Sequence, residues 1–149
     1  MTIDAEKIRA RIKADAAKEG FGAVGFAAAD GDAVQTARLD AFIKAGFMGD
    51  MSWIAETRDR RHAPTAMWGE AKSAIVLMMN YGPDHDPMDT ITKRDCGNVS
   101  VYARGRDYHE VIKGKLKQIA GRIAAQNGVG VKVFVDTAPL MEKPLAAKA

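Results

Sequence analysis

Apolar residues at helical spacing predict most of the secondary structure of this chain. The pattern recurs in three long stretches and one short one, namely residues 3–20, 33–45, 107–127 and 47–54. Gly20, Gly46 and Gly128 stand where the long stretches end, as glycines do at helix C-termini. Asp107 and Glu110 have the spacing of a capping box at the start of the clearest helix.

Three further stretches have the patterns of strands. Residues 21–27 form a short apolar run, and residues 74–81 begin with a continuous apolar run, as in a strand that is covered on both faces. Residues 129–135 alternate between valine and other residues with period two. This order of elements predicts an α+β or α/β fold in which helices flank a mixed sheet of at least three strands.

The third strand delivers Asp136 to its end, on the face opposite the valines. Thr137, Ala138 and Pro139 follow, and Pro139 is suited to the first position of a further helix. A carboxylate at such a junction has two interpretations. It caps the next helix by accepting hydrogen bonds from free backbone amides, or it is a chemical group.

Composition narrows the class of protein. The chain has 149 residues, of which 47% are hydrophobic and 28% charged, which predicts one globular domain over residues 1–149. The net charge of +3 permits contact with nucleic acid without requiring it. The acidic N-terminus does not resemble a secretory signal, and the longest apolar run, residues 74–79, is too short to span a bilayer. We therefore expect a cytoplasmic protein.

Two polar segments leave a functional interpretation open. Residues 58–64 are the densest basic segment, which is either a solvated loop or a contact for phosphate or another anionic ligand. Tyr108 and His109 lie in the first turn of the predicted helix, where they either pack and cap or contribute to an anion site. The acidic stretch around His85 is interpreted as a solvated loop rather than a metal site.

Several motifs occur together and in order along nearly the whole chain. They are Tyr-Ala-Arg-Gly-Arg-Asp-Tyr-His at 102–109, Val-Asp-Thr-Ala-Pro at 135–139 with Glu142, Ala-Ala-Lys-Ala at 146–149, Arg-His-Ala-Pro at 61–64, and the segments 22–26 and 46–51. In these motifs the chain resembles the cobalamin-dependent epoxyqueuosine reductases of tRNA queuosine modification. The resemblance implies a cobalamin-binding N-terminal domain of α/β sandwich type.

The resemblance also implies roles for individual residues. Asp136 matches the position of the acid that protonates the epoxide oxygen, a task for which a carboxyl group needs a raised pKa. Tyr108 and His109 match the substrate side of the pocket. Arg61, Ser100 and Asp136 match positions beside the cofactor. The partner implied is the anticodon loop of a tRNA, with Arg58, Arg60, Arg104, Arg106 and Lys113 as candidate phosphate contacts.

One departure from the family bears on electron supply. Family members continue into a region whose eight cysteines hold two 4Fe-4S clusters, whereas this sequence has one cysteine, Cys96. We therefore expect a monomeric fragment that depends on a separate electron donor. Two other functions stay open, a non-catalytic cobalamin-binding module and a small basic RNA-binding domain. The RNA-binding function predicts tRNA affinity that falls steeply with salt.

Overall fold

A computed structural model describes residues 4–149 of the chain, so Ile3 of the first predicted helix lies outside the described range. Within that range the α-helices are α1 (Ala5–Lys18), α2 (Ala33–Lys44), α3 (Trp53–Glu56), α4 (Arg58–Arg61), α5 (Pro64–Met67), α6 (Tyr108–Asn127) and α7 (Glu142–Lys148). The strands are β1 (Ala23–Ala28) and β2 (Ser73–Met78), and Val101–Ala103 form a 3₁₀ turn. The chain divides into two units. The first contains residues 4–23 with Met78–Val135, and the second contains Val24–Leu77 with Asp136–Ala149.

The first unit is organised around α1 and α6. Its core consists of apolar side chains of these helices, Ile12, Ala16, Ile119 and Ile123. Polar contacts reinforce the pair, since Arg122 binds the Glu19 carboxylate at 2.7 Å and Arg11 donates to Asn127 Oδ1 at 3.1 Å. The amphipathic patterns thus predict the helices correctly, and burial of their apolar faces holds them together.

The sheet pairs β1 with β2, and most residues of both strands belong to the second unit. Gly22 N–H donates to the Met78 carbonyl at 2.9 Å and Ala29 N–H to the Lys72 carbonyl at 3.2 Å, so β1 and β2 run antiparallel. Thr65 at the start of α5 donates its N–H to the Ala29 carbonyl at 3.3 Å, which fixes the segment after α4 beside the end of β1. Helices accompany this sheet, which confirms the α/β class.

The predicted third strand is wrong. The sheet of the described residues has two strands, and residues 129–135 belong to neither. Their burial nevertheless alternates as expected, with Val131, Val133 and Val135 half-buried and Lys132 and Phe134 exposed. The period-two pattern correctly predicts an extended segment with one covered face. A strand also needs a backbone that pairs with another segment, and a local pattern does not indicate such pairing.

Three local predictions also need correction. Arg58–Arg61 form the short helix α4 rather than a loop. The helix expected over residues 47–54 is confined to Trp53–Glu56, because turns occupy the preceding segment. Pro139 does not begin a helix, because α7 begins at Glu142 and its N-cap is Met141.

The end of α6 yields a first testable prediction. Gly128 has φ +64, a left-handed conformation that suits glycine. We expect Gly128→Ala to lower the free energy of unfolding by about 1 kcal/mol, because a Cβ disfavours this conformation. The matched control is Gly121→Ala within α6, where open space receives a Cβ and where we expect a gain of about 0.5–1 kcal/mol. Urea unfolding measures both, and equal effects would contradict the conformational argument.

Candidate active site

Asp136 lies in a strained turn directly after the extended segment. Its φ is +41, and among residues 4–149 it is the one non-glycine residue with positive φ. Its backbone N–H donates to Glu142 Oε1 at 3.1 Å, and the residue is exposed. A non-glycine residue in this region costs of the order of 1 kcal/mol or more and persists where neighbouring contacts fix it. The hydrogen bond to Glu142 is one contact that holds Asp136 in this conformation.

Glu142 is the carboxyl group that closes this turn. Partial desolvation raises the pKa of Glu142 above its ordinary value, and the neighbouring negative charge of Asp136 also raises it. The hydrogen bond from the Asp136 N–H acts in the opposite direction, since it favours the carboxylate. Two carboxyl groups thus share one turn of the backbone.

Capping of α7 does not explain Asp136. The N-cap of α7 is Met141, and no side chain makes a cap hydrogen bond there. A backbone hydrogen bond lies in the segment between Asp136 and α7, where the Leu140 N–H donates to the Ala138 carbonyl at 2.7 Å. The N-cap position of α7 therefore belongs to Met141 and not to Asp136.

A shallow pocket that is open to solvent lies within the second unit. It is lined by residues of the β1–α2 turn, of α2, of the segment from α4 to α5, and of α7, namely Asp30, Asp32, Gln35, Arg61, His62, Ala63, Pro64, Leu140, Met141, Pro144, Leu145 and Lys148. Lys148 Nζ and Asp32 Oδ2 form an ion pair of 2.7 Å beside it. Asp32 also caps α2, so this pair holds the end of α7 against the start of α2.

Arg61 is the charged side chain of the pocket that sequence reasoning singled out. Its Nε donates to Thr57 Oγ1 at 2.8 Å, and its guanidinium lies 4.8 Å from the centre of the Trp53 ring. Burial lowers the pKa of Arg61, with no carboxylate acting against that shift. The stacked and planar guanidinium is therefore held in place, with its terminal nitrogens able to donate to an uncharged acceptor.

His62 is a pocket residue to which the sequence assigned no role. Its Nδ1 is buried, and no described residue makes a hydrogen bond to it. A buried polar atom without a partner costs free energy that a ligand group can recover by pairing with it. No sequence signal singles out this histidine within the basic segment, because its orphan nitrogen results from tertiary packing.

Tyr108 and His109 lie in the first unit, at the start of α6. Their rings stack with centroids 4.1 Å apart, and Tyr102 meets Tyr108 edge-on at 6.4 Å. Asp107 is the N-cap, as predicted, and its Oδ1 accepts from the His109 N–H at 2.9 Å. Ser100 belongs to the same unit and is exposed, just before the 3₁₀ turn.

Asp107 also determines which nitrogen of His109 carries a proton. Its Oδ1 lies 2.8 Å from His109 Nδ1, and these contacts hold the pKa of the Asp107 carboxyl below its ordinary value. A carboxylate only accepts, so Nδ1 must carry the proton. In the neutral ring Nε2 is then an acceptor, and it donates only in the imidazolium form.

The candidate phosphate contacts differ in how their charge is already used. Arg58 binds both carboxylate oxygens of Asp40 at 2.7 Å, and this pairing lowers the pKa of Asp40 and raises that of Arg58. Arg104 donates to the Val99 carbonyl and to Asn98. The exposed residues Arg60, Arg106 and Lys113 are better placed for a phosphate, because Arg58 is compensated locally.

Residues 4–149 contain neither a metal-binding cluster nor a membrane-spanning helix. No group of three or more histidine, cysteine, aspartate or glutamate side chains is arranged to hold a metal ion there. In the same range no helix combines the length and the apolar character that a membrane span requires.

The fold is that of an α/β protein, with a solvent-open pocket and a strained acidic turn in its second unit. A family model described as Epoxyqueuosine reductase QueG, DUF1730, matches residues 61–137, which is just over half of the chain. The chain belongs to this family. The matched range contains the residues predicted to bind cofactor or substrate or to act as the acid, namely Arg61, Ser100, Tyr108, His109 and Asp136.

Relatives and solved structures agree with this assignment. An epoxyqueuosine reductase from Cellulophaga algicola is 39% identical over 145 residues, covering 97% of this chain and 46% of that protein. One from Leadbetterella byssophila is 40% identical over 139 residues, covering 93% and 44%. The structure of epoxyqueuosine reductase from Streptococcus thermophilus matches with a TM-score of 0.76 and 26% identity, covering 94% of this chain and 38% of that one.

A second solved structure shows a relative together with an RNA ligand. It is an epoxyqueuosine reductase crystallised with an epoxyqueuosine-modified tRNA-Tyr stem loop, with a TM-score of 0.76, 20% identity, and coverage of 95% of this chain and 37% of that one. The chain thus spans less than half the length of these relatives.

Proposed function

We propose that this chain is the cobalamin-binding part of an epoxyqueuosine reductase, which reduces the epoxide on a modified tRNA base to an alkene. The reaction consumes two electrons and two protons and releases the epoxide oxygen as water. Membership of the family is the observation that carries this proposal. The location of Asp136 on an exposed and strained turn supports it.

Asp136 is the proton donor in this proposal. As the epoxide ring opens, negative charge develops on its oxygen, and a positioned carboxylic acid neutralises that charge by transferring a proton. An acid for this step must reach the substrate, and Asp136 is exposed while its backbone is fixed by Glu142. The carboxylate that remains is ready to take up a further proton from water.

Two residues of the pocket, Arg61 and His62, suit contacts with the amide groups of a cofactor such as cobalamin. Arg61 presents donors on a desolvated guanidinium that no carboxylate neutralises, and His62 has a buried nitrogen that lacks a protein partner. An amide oxygen accepts from the Arg61 guanidinium, and the His62 nitrogen pairs with an amide N–H or an amide oxygen according to its tautomer. When bound, reduced cobalamin supplies the electrons for opening the epoxide. Arg61, Ser100 and Asp136 are the residues that we assign to its binding.

Tyr108 and His109 are assigned to the substrate. Because Asp107 holds the proton on His109 Nδ1, the neutral ring receives a hydrogen bond from a ribose or cyclopentane hydroxyl at Nε2. The stacked Tyr108 ring stiffens the imidazole, and a fixed acceptor selects a hydroxylated base. The partner is a tRNA, read through its anticodon loop, in the cytoplasm. The chain acts as a monomer that receives electrons from a separate donor.

Cobalamin binding provides the experiment. The chain mixed with cobalamin and freed of excess should retain the visible spectrum of the corrin, with saturable binding. We expect Arg61→Ala to weaken binding by about tenfold to a hundredfold, which corresponds to one or two hydrogen bonds from a charged donor. Arg60→Ala is the matched control, because its side chain is exposed one residue away.

The outcomes separate the alternatives. Absence of a retained chromophore in the parent chain would contradict the cobalamin assignment. Equal losses of cobalamin affinity in Arg61→Ala and Arg60→Ala would show that Arg61 does not bind the cofactor. Retained cobalamin without any reduction of the substrate under supplied electrons identifies a non-catalytic cobalamin module. Tight tRNA binding that falls steeply with salt and ignores cobalamin identifies an RNA-binding domain.

A further inference from the structure

A hydrogen bond from backbone to side chain holds the candidate acid in its turn. The Asp136 N–H donates to Glu142 Oε1 at 3.1 Å, across a loop of only a few residues that contains Pro139. Asp136 has φ +41, a conformation that an aspartate seldom adopts without a constraint. The Glu142 carboxyl group therefore acts directly on the backbone of the strained residue.

Glu142 is itself fixed, because it is the first residue of α7. The far end of α7 is tied by the Lys148–Asp32 ion pair of 2.7 Å, and Asp32 caps α2. A Cβ built on Gly25 would lie 2.6 Å from the Ala149 Cβ, so the last residue packs closely on β1. The contacts at the end of α7 therefore restrict where the Glu142 carboxyl group can lie.

We propose that Glu142 is a positioning residue for Asp136: its carboxyl oxygen accepts the Asp136 N–H and thereby fixes the left-handed turn that presents the Asp136 carboxyl group. The inference rests on the proposed function, in which Asp136 is the acid. A misplacement of about 1 Å can cost a catalytic group as much as a hundredfold in rate. Glu142 does not touch the substrate in this account and acts through the turn.

The contact does not depend on the charge of Glu142. Desolvation and the Asp136 charge raise the pKa of Glu142, yet the protonated carboxyl group still has a carbonyl oxygen that accepts. A glutamine at this position offers the same oxygen on the same length of side chain. Charge and acceptor can therefore be separated by substitution.

The test compares Glu142→Ala and Glu142→Gln in the cobalamin-loaded chain, with epoxyqueuosine-modified tRNA and a low-potential reductant. Glu142→Ala should slow single-turnover reduction on the order of tenfold while cobalamin stays bound and tRNA affinity is unchanged. Glu142→Gln should retain most of the rate. Lys143→Ala is the matched control, an exposed neighbour in the first turn of α7 that should match the parent.

Amide hydrogen exchange gives a readout that is independent of activity. The Asp136 amide should exchange on the order of tenfold faster in Glu142→Ala than in the parent, and Glu142→Gln should stay close to the parent. Because the turn is exposed, water replaces the lost acceptor, so thermal unfolding should change little. A fast Asp136 amide in the parent chain would overturn the proposal.

A double variant distinguishes positioning from a general structural effect. In an Asp136→Asn background, removal of Glu142 should cause no further loss, because there is no acid left to position. An additional tenfold loss, or a Glu142→Gln variant as slow as Glu142→Ala, would overturn the positioning role. If Asp136→Asn is slow and Glu142→Ala keeps the parent rate, the positioning role of Glu142 is wrong while the acid role of Asp136 stands. If Asp136→Asn keeps the parent rate, the proposed acid role fails with it.

Discussion

Asp136→Asn should lower the rate of epoxide reduction by about 10²- to 10⁴-fold, which is the usual contribution of a positioned general acid. An amide cannot transfer a proton to the developing oxyanion, so the loss falls on the chemical step. Asparagine is the substitution of choice at φ +41, since it tolerates the left-handed region better than other non-glycine residues. It also keeps the backbone N–H that donates to Glu142.

The measurement is single-turnover conversion of the epoxide, followed by nucleoside analysis of the tRNA. Cobalamin should stay bound, as read from the visible spectrum, because asparagine keeps the size of the side chain and one of its two acceptor oxygens. Asp84→Asn provides a control with the same change of charge at an exposed position in a loop. Undiminished reduction by Asp136→Asn would remove Asp136 from the acid role.

Electron supply gives the second large effect. The sequence has one cysteine, Cys96, which is exposed, and a 4Fe-4S cluster needs four cysteine thiolates. With cobalamin reduced in advance and no donor present, we expect the chain to complete no more than a single turnover. Addition of a low-potential chemical reductant, or of a separate iron-sulfur protein, should restore repeated turnover.

The measurement is the yield of alkene nucleoside per bound cobalamin over time. A yield that plateaus without the donor and rises steadily with it fits the expectation. Repeated turnover by the chain alone, with no donor in the mixture, would contradict it. The control is the same mixture without protein, which accounts for direct reduction of the substrate by the reagent.

Local signals account for the parts of the fold that the sequence predicts well. Asp107 accepts the N–H of His109 at the start of α6, and Gly128 takes the left-handed conformation that ends it. Both assignments depend on the few residues around a helix end, so spacing suffices to find them. The alternating burial of residues 131–135 was predictable for the same reason.

Contacts between segments account for what the sequence did not reveal. Residues 129–135 have the alternation of a strand but lack a paired backbone, which depends on a distant segment. Arg58 meets Asp40 across 18 positions in the sequence, and this pair turns a candidate phosphate contact into a structural ion pair. The orphan nitrogen of His62 likewise results from packing.

The acidic turn combines both kinds of information. The alternating pattern of residues 129–135 drew attention to Asp136 at its end. The resemblance to the family then implied a role for that residue. The hydrogen bond with Glu142 and the positive φ became visible only in three dimensions. In the sequence Glu142 was notable only as part of the motif that begins at residue 135. That motif indicated the family but did not indicate that Glu142 holds the turn.

The most direct test of the account is nucleoside analysis of epoxyqueuosine-modified tRNA after incubation with the chain, cobalamin and a low-potential reductant. The account predicts the alkene nucleoside in the complete mixture, its loss when cobalamin is omitted, and its loss in Asp136→Asn. An intact epoxide in the complete mixture, with cobalamin demonstrably bound to the protein, would contradict it.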